Sequence, residues 1–172
     1  METLRRYLGG HHPHFPNWLH VLEVGALIVR AGRAAGLIVK AEIVVTATDD
    51  LGAPQRGEMD CGWYSQSGDL IVAWEFDGRD VDDWHLFGGR RPTKRGDVFK
   101  LGNVRKFAAC GAPIKVQVLY SLKNDLTPKP PARRSLDSAI FPDVSVVTDE
   151  NLMLAGGIES LIQRARQQAG LA

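Results

Sequence analysis

The sequence predicts an α/β protein in which a mixed β-sheet is flanked by helices, with a core order α-β-β-β-α-β. Three observations indicate this order. Apolar residues recur at helical spacing from Trp18 to Val29, apolar alternation marks the runs at 69–77 and 114–121, and a second helical pattern follows Asp97. A pattern that changes between these two periods is typical of helices packed on a sheet.

The length and composition fit one domain of ordinary globular type. The chain has 172 residues, of which 44% are hydrophobic and 24% are charged, and its formal net charge is +1. We expect a single domain over 1–172, with a core at about 16–122 and a proline-rich arm plus a C-terminal helix at 123–172. A net charge this small does not indicate a nucleic-acid partner, so any basic surface has to be local.

The cysteines and the distribution of charges predict a cytoplasmic protein without a membrane partner. Cys61 and Cys110 do not have a metal-binding spacing, and free thiols are typical of a reducing compartment. The most apolar stretch, 18–45, contains six charged or histidine side chains, which argues against a membrane span. We also expect no signal peptide.

The first elements of the core follow from local patterns. A helix is predicted to begin at Pro16-Asn17 and to end at Gly36, a residue that suits a helix stop. The next segment, Ile38 to Thr46, is rich in β-branched residues and predicts a strand. The turn Asp49-Asp50-Leu51-Gly52 then leads to the next strand.

Two strands carrying acids are predicted at 58–64 and 69–77, joined by the turn Ser65-Gln66-Ser67-Gly68. Side chains alternate along a strand, so each of these strands has an apolar face and a polar one. The predicted core face consists of Met59, Cys61, Trp63, Leu70, Val72, Trp74 and Phe76. The other face carries four carboxylates, Glu58, Asp60, Glu75 and Asp77.

Four carboxylates on one small patch indicate a divalent metal site. If Tyr64 pairs with Asp69, Glu58 lies opposite Glu75 and Asp60 lies diagonal to it, at a separation where like charges repel. A divalent cation would remove the repulsion, and oxygen-rich clusters suit Mg²⁺, Mn²⁺ or Ca²⁺. The alternative is that the acids only form the solvated face of an antiparallel hairpin.

A long loop is predicted from Gly78 to Gly96, and it contains a basic run. Long loops in compact domains often carry function, so this run is expected to contact the phosphates of nucleic acid without reading sequence. A solvated loop is the alternative. The basic residues are Arg90, Arg91, Lys94 and Arg95.

Asp97 is predicted to be the N-cap of a second helix that reaches about Ala109, with Val98, Leu101 and Val104 on its buried side. Beyond it, the sequence predicts a strand at 114–121, an extended arm at 124–142, a short strand at 144–148 and a last helix at 158–168.

The order of these elements, with Asp60 on the second strand and Glu75 on the third, resembles the PD-(D/E)XK nuclease superfamily over roughly 16–122. The resemblance implies a restriction-endonuclease-like fold in which two acids on neighbouring strands bind Mg²⁺ or Mn²⁺. It also implies a lysine two residues after the second acid, which positions or activates water. Here Asp77 occupies that lysine position, and Met59 replaces the usual proline.

The activity that the resemblance implies is metal-assisted hydrolysis of DNA phosphodiester bonds. The metal would polarise the phosphoryl oxygen and lower the pKa of the attacking water. Some members of the superfamily take their lysine from elsewhere, including the following helix. Lys100 is therefore the expected replacement, with Lys94 second. Asp77 and Glu58 would add metal ligands, and Glu23 matches the place where some members add another acid.

Two other functions remain open. The missing strand lysine favours a catalytically inactive relative that binds nucleic acid or assists protein assembly. A third possibility is a small dimerising protein, a homodimer, whose Trp84 and Phe87 contact a partner. The histidines at 11, 12 and 14 are a weaker candidate for binding a soft divalent ion, since close histidines in such a segment more often bind one adventitiously.

Overall fold

The computed structural model describes residues 15–78, 83–94, 96–120 and 142–171. The helices within these ranges are α1 (Phe15–Ala34), α2 (Asp83–Phe87), α3 (Asn103–Ala109), α4 (Asp149–Met153) and α5 (Glu159–Gln168). The strands are β1 (Ile38–Thr48), β2 (Pro54–Tyr64), β3 (Leu70–Gly78), β4 (Gly88–Thr93), β5 (Gly96–Leu101), β6 (Ile114–Tyr120) and β7 (Ser145–Thr148).

A mixed five-stranded sheet lies at the centre of the fold, in the order β1-β2-β3-β6-β7. The pairs β1–β2 and β2–β3 are antiparallel, whereas β6 runs parallel to β3 and β7 runs parallel to β6. The strands β4 and β5 form a separate antiparallel hairpin. The prediction of an α/β protein with a mixed sheet between helices is therefore confirmed.

Hydrophobic clusters cover both faces of the sheet. On one face, Val72 and Trp74 pack with residues of α1 and α5, including Ile28 and Ala165. On the other, Ala73 packs with residues of α2, β5 and α3, which include Leu86 and Phe107. β3 is therefore covered on both sides. The prediction that Ile71, Ala73 and Glu75 lie on a solvated face is wrong, because all three are buried.

The alternation of β2 breaks at Asp60. Cys61 and Trp63 pack in the cluster with α1, as predicted, but Met59 packs in the cluster with α3. Glu42, which lies across from this point on β1, has a φ of 56°, a left-handed conformation that is rare for a residue with a side chain. The irregular backbone turns Met59 to the opposite side, so the prediction that it shares a face with Cys61 is wrong.

The segment from 78 to 109 differs most from the prediction. The predicted loop contains α2 and β4, and the predicted helix begins only at Asn103. Asp97 is not an N-cap, because it pairs with Pro92 in the β4–β5 hairpin. Val98 and Leu101 satisfy helical spacing, but they belong to β5. Its partner β4 lies in a glycine-rich segment that has no strand pattern.

A close crossing of two glycines ends this hairpin. A Cβ atom on Gly102 would lie 2.2 Å from the backbone nitrogen of Gly88. A Cβ on Gly88 would lie 2.2 Å from the carbonyl oxygen of Lys100. Only glycine fits at either position without displacing the backbone, so this pair sets where β5 ends and α3 begins.

The other predicted elements agree more closely with the structure. The first helix, the first strand and the strand at 114–120 are confirmed, and Gly36 ends α1 with a φ of 80°. The short strand and the last helix are confirmed within one residue of their predicted starts. Both cysteines are free thiols. The arm predicted at 124–142 lies almost entirely outside the described residues, as do the histidines at 11, 12 and 14 and Arg95.

None of the helices in the described ranges is both long enough and apolar enough to span a lipid bilayer.

Candidate active site

The pairing of β2 with β3 brings Asp60 beside Glu75. The backbone N–H of Asp60 donates to Glu75 Oε2 at 3.3 Å. In the other direction, the backbone N–H of Phe76 donates to Asp60 Oδ2 at 2.7 Å. Each carboxylate is thus tied to the other strand's backbone, which fixes the two acids as neighbours.

The register differs from the predicted one. Cys61 pairs with Trp74 and Tyr64 pairs with Leu70, with a bulge between Trp63 and Tyr64. The predicted pairing of Tyr64 with Asp69 is wrong because Asp69 belongs to the turn, where its backbone oxygen accepts from the N–H of Ser65. The prediction that Glu58 faces Glu75 is wrong for the same reason. Glu58 pairs with Val44 of β1 and is exposed.

Lys106 supplies a cation to this pair of acids. Its Nζ contacts Glu75 Oε1 from the second turn of α3. The two side chains are 13% and 6% exposed, so little water separates the charges. Sequence reasoning missed Lys106 because it began the helix five residues too early. The glycine at 102, between the apolar runs of β5 and α3, was the signal that could have corrected the start.

The two lysines predicted from the sequence lie elsewhere. Lys100 is on β5, and its Nζ is 5.2 Å from the centre of the Trp84 ring. Lys94 is exposed beyond the end of β4, where it forms an isolated bridge with Gly96. The prediction that Lys100 lies in the first turn of the helix is therefore wrong. Glu23 is exposed on α1, and its role as a further acid stays a prediction.

Asp77 lies on the same side of β3 as Glu75 and is bound by two amides. Its Oδ2 accepts from Asn103 Nδ2 and, at 3.3 Å, from Gln117 Nε2. Asn103 also donates to Gln117 Oε1 at 3.2 Å, and both amide residues are at most 2% exposed. Neither was identified from the sequence, although a glutamine between Val116 and Val118 on an otherwise apolar strand was a usable signal.

Burial raises the pKa values of the three carboxyls, and repulsion by a neighbouring carboxylate adds to this for Glu75 and Asp60. Burial, followed by the charge of Asp60, raises the pKa of Glu75 to about 7, against the opposing effect of Lys106. Burial also raises the pKa of Asp60, although the hydrogen bond from Phe76 opposes it. For Asp77, burial again raises the pKa, and the hydrogen bond from Asn103 is the largest opposing cause. Carboxyls with raised pKa values of this kind are typical of functional sites.

The donor chemistry fits a hard divalent ion with few protein ligands. In the part of the chain that the structure describes, no three or more histidine, cysteine, aspartate or glutamate side chains converge as a metal-binding group. Mg²⁺, however, is commonly bound through one or two carboxylates, with water and substrate phosphate completing its shell. Asp60 and Glu75 are such a pair. Asp77 and Glu58 as further ligands stay predictions.

The basic run is partly engaged within the protein. Arg90 Nη2 lies 3.2 Å from Asp49 Oδ2, which ties β4 to the β1–β2 turn. The guanidinium of Arg91 lies 4.4 Å from the centre of the Trp84 ring, and Lys100 lies over the same ring. Trp84 is half-buried by these contacts, while Phe87 is 40% exposed.

Comparisons with protein-family models, curated proteins and solved structures found no match.

Proposed function

We propose that this protein is a metal-dependent nuclease that hydrolyses DNA phosphodiester bonds, with a restriction-endonuclease-like core of the PD-(D/E)XK type. The observation that carries the proposal is the contact of Lys106 with Glu75, on the strand beside Asp60. Two acids on neighbouring strands and a nearby ammonium are the groups that this chemistry requires. The chain lacks the lysine after Glu75, and α3 supplies a cation in its place.

In this proposal Asp60 and Glu75 hold one Mg²⁺ or Mn²⁺ through their carboxylates. The bound ion would polarise a phosphoryl oxygen and lower the pKa of water beside it. Lys106 donates hydrogen bonds to the attacking water or to a non-bridging phosphate oxygen, where negative charge develops during the reaction. Because Lys106 and Glu75 are largely buried, these interactions are stronger than they would be in water.

The cations of the β4–β5 hairpin are proposed to bind the DNA backbone. Arg91 and Lys94 are exposed, and the hairpin packs on the same side of the sheet as α3. Contacts of this kind contribute affinity that depends on salt and not on base sequence. Arg90, which pairs with Asp49, holds the hairpin in place and is the weaker candidate for a phosphate contact.

The alternative proposal is a catalytically inactive protein of the same fold that binds nucleic acid or assists assembly. The observation that favours it is that Lys106 and Glu75 form an ion pair within the protein. A former active site would also retain such a pair as a structural contact, because each charge compensates the other.

A cleavage panel separates the two proposals. Supercoiled, linear duplex and single-stranded DNA would be incubated with Mg²⁺, Mn²⁺ or EDTA, using wild type, Asp60→Asn and a matched control, Glu159→Gln on α5. The nuclease proposal expects cleavage that EDTA abolishes, that Asp60→Asn loses and that Glu159→Gln retains. Binding without cleavage by the wild type, for every substrate and ion, would favour the inactive module.

A further inference from the structure

We infer that Asn103 is a positioning residue, whose amide binds Asp77 and thereby holds α3 where Lys106 reaches Glu75. This inference rests on the proposed function, in which Lys106 is the catalytic cation. It assigns Asp77 the role of an anchor for α3, in place of the metal-ligand role that the sequence predicts.

The geometry consists of two parallel contacts between α3 and β3. Residues three apart on a helix lie on one face, as do residues two apart on a strand. Asn103 and Lys106 are such a pair on α3, and Asp77 and Glu75 are such a pair on β3. The contact of Asn103 with Asp77 and the contact of Lys106 with Glu75 therefore lie next to each other between α3 and β3.

The helix itself contributes little to its own placement. It has seven residues, and its N-cap is Gly102, which has no side chain that could accept a hydrogen bond from the helix. Isolated helices this short are not stable in water, so the position of α3 depends on contacts with the rest of the fold. Asn103 is the first residue of the helix and is 2% exposed, so its amide acts at the end that lacks a cap.

Other contacts hold the rest of α3, which separates their effect from that of Asn103. Phe107 is buried in the cluster with Ala73. Arg105 contacts Asp50 in the β1–β2 turn and the carbonyl oxygen of Thr48 at the end of β1. Loss of the Asn103 amide is therefore expected to tilt the N-terminal end of the helix without releasing it. A tilt at this end moves Lys106, one turn away, relative to Glu75.

The anchoring role of Asp77 and the position of Lys106 on α3 are connected. Asp77 stands where the family pattern has a lysine, and it cannot supply positive charge. It does, however, accept hydrogen bonds from Asn103 and Gln117. The residue that replaces the strand lysine is thus the residue that anchors the helix carrying Lys106, so the two changes are coupled.

The test compares Asn103→Leu, Asn103→Asp and the exchange double variant Asp77→Asn with Asn103→Asp. The exchange keeps one carboxylate and one amide facing each other, whereas Asn103→Asp alone opposes two carboxylates. Asn151→Leu, on α4, is the matched control. The structural readout is the NMR signal of the Lys106 ammonium in ¹⁵N-lysine-labelled protein, identified by its loss in Lys106→Ala, and circular dichroism reports folding.

We expect the ammonium signal to be lost in both single variants, retained in Asn151→Leu and largely restored in the exchange variant. Cleavage should follow the signal, with kcat falling by about a hundredfold and KM little changed, as for a misplaced catalytic group. If a single variant fails to fold, restoration of the fold and the signal by the exchange still supports the inference.

An unchanged ammonium signal in a folded Asn103→Leu protein would overturn the inference, and so would an exchange variant that does not restore the signal. The ammonium signal could be lost in the single variants and restored in the exchange variant while the wild type cleaves no DNA. The proposed function would then fail, and the positioning role of Asn103 would stand.

Discussion

Lys106 contacts Glu75 across a sequence separation of 31 residues, from a helix onto a central strand. Both side chains are nearly buried, and the charge of Asp60 lies beside them. A largely buried ammonium therefore lies against a largely buried carboxylate, with the more exposed carboxylate of Asp60 beside them. The arrangement is costly unless each charge is compensated, so its response to mutation, pH and added ions should be large.

Removal of the ammonium should strengthen divalent-ion binding while cleavage is lost. Lys106→Met takes away a cation that competes for the same carboxylate oxygens, so we expect Mn²⁺ affinity at pH 8 to rise by about tenfold, equivalent to roughly 1.4 kcal/mol of removed repulsion. Calorimetric titration measures this, with Lys115→Met on β6 as control. Weaker binding in Lys106→Met would show that the ammonium supports the ion instead of competing with it.

The stability of the protein should fall as pH rises from about 4.5 to about 7. The folded chain binds a proton at Glu75 more readily than the unfolded chain does, because burial raises the pKa of this carboxyl to about 7. The free energy of unfolding therefore decreases through this window, by up to about 3 kcal/mol, and this contribution is constant above it. Urea unfolding in EDTA at several pH values measures the slope.

Glu75→Gln should remove most of that slope, whereas Glu58→Gln, an exposed glutamate on the neighbouring strand, should leave it unchanged. The same pH dependence in wild type and Glu75→Gln would mean that another group causes it.

Two glycine substitutions should act in opposite directions. Gly102→Ala adds a Cβ atom that would lie 2.2 Å from the backbone of Gly88, so the hairpin and α3 must move apart at a cost of roughly 1–3 kcal/mol. Gly25→Ala, in the interior of α1, meets nothing within 4 Å and should stabilise by about 0.5–1 kcal/mol. Thermal unfolding compares them. A Gly102→Ala protein as stable as the wild type would contradict the close crossing.

The salt dependence of DNA binding should identify the cations that contact phosphate. Replacing Arg91 and Lys94 with alanine is expected to lower the slope of log K against log salt by about one for each lost contact. Fluorescence anisotropy in EDTA measures binding without cleavage. Arg164→Ala, an exposed arginine on α5 at the other face of the sheet, is the control. An unchanged slope in the double variant would show that Arg91 and Lys94 do not contact the DNA phosphates.

The acidic strands could be predicted because alternation of apolar and polar residues is a local property. The pairing between them could not, since Asp69 lies in the turn and a bulge follows Trp63. A shift of register changes which acids become neighbours, which is why the sequence predicts Glu58 directly opposite Glu75 and Asp60 diagonal to it, whereas Asp60 is the residue that contacts the Glu75 carboxylate.

The sequence predicts Lys100 instead of Lys106 for a related reason. Val98, Leu101 and Val104 satisfy helical spacing, so the pattern does not distinguish a helix from a strand followed by a shorter helix. The pairing partner, β4, contains glycines and a proline and has no strand signal of its own. Tertiary pairing therefore decides the start of α3, and with it whether Lys100 or Lys106 reaches the acids.

One rate measurement decides whether Lys106 completes a catalytic site with Asp60 and Glu75. Single-turnover cleavage at saturating Mn²⁺ would be compared in Lys106→Ala and Lys100→Ala, after both proteins are shown to be folded. We expect a loss on the order of a hundredfold or more in Lys106→Ala and a rate close to wild type in Lys100→Ala. Full activity in Lys106→Ala would contradict this expectation.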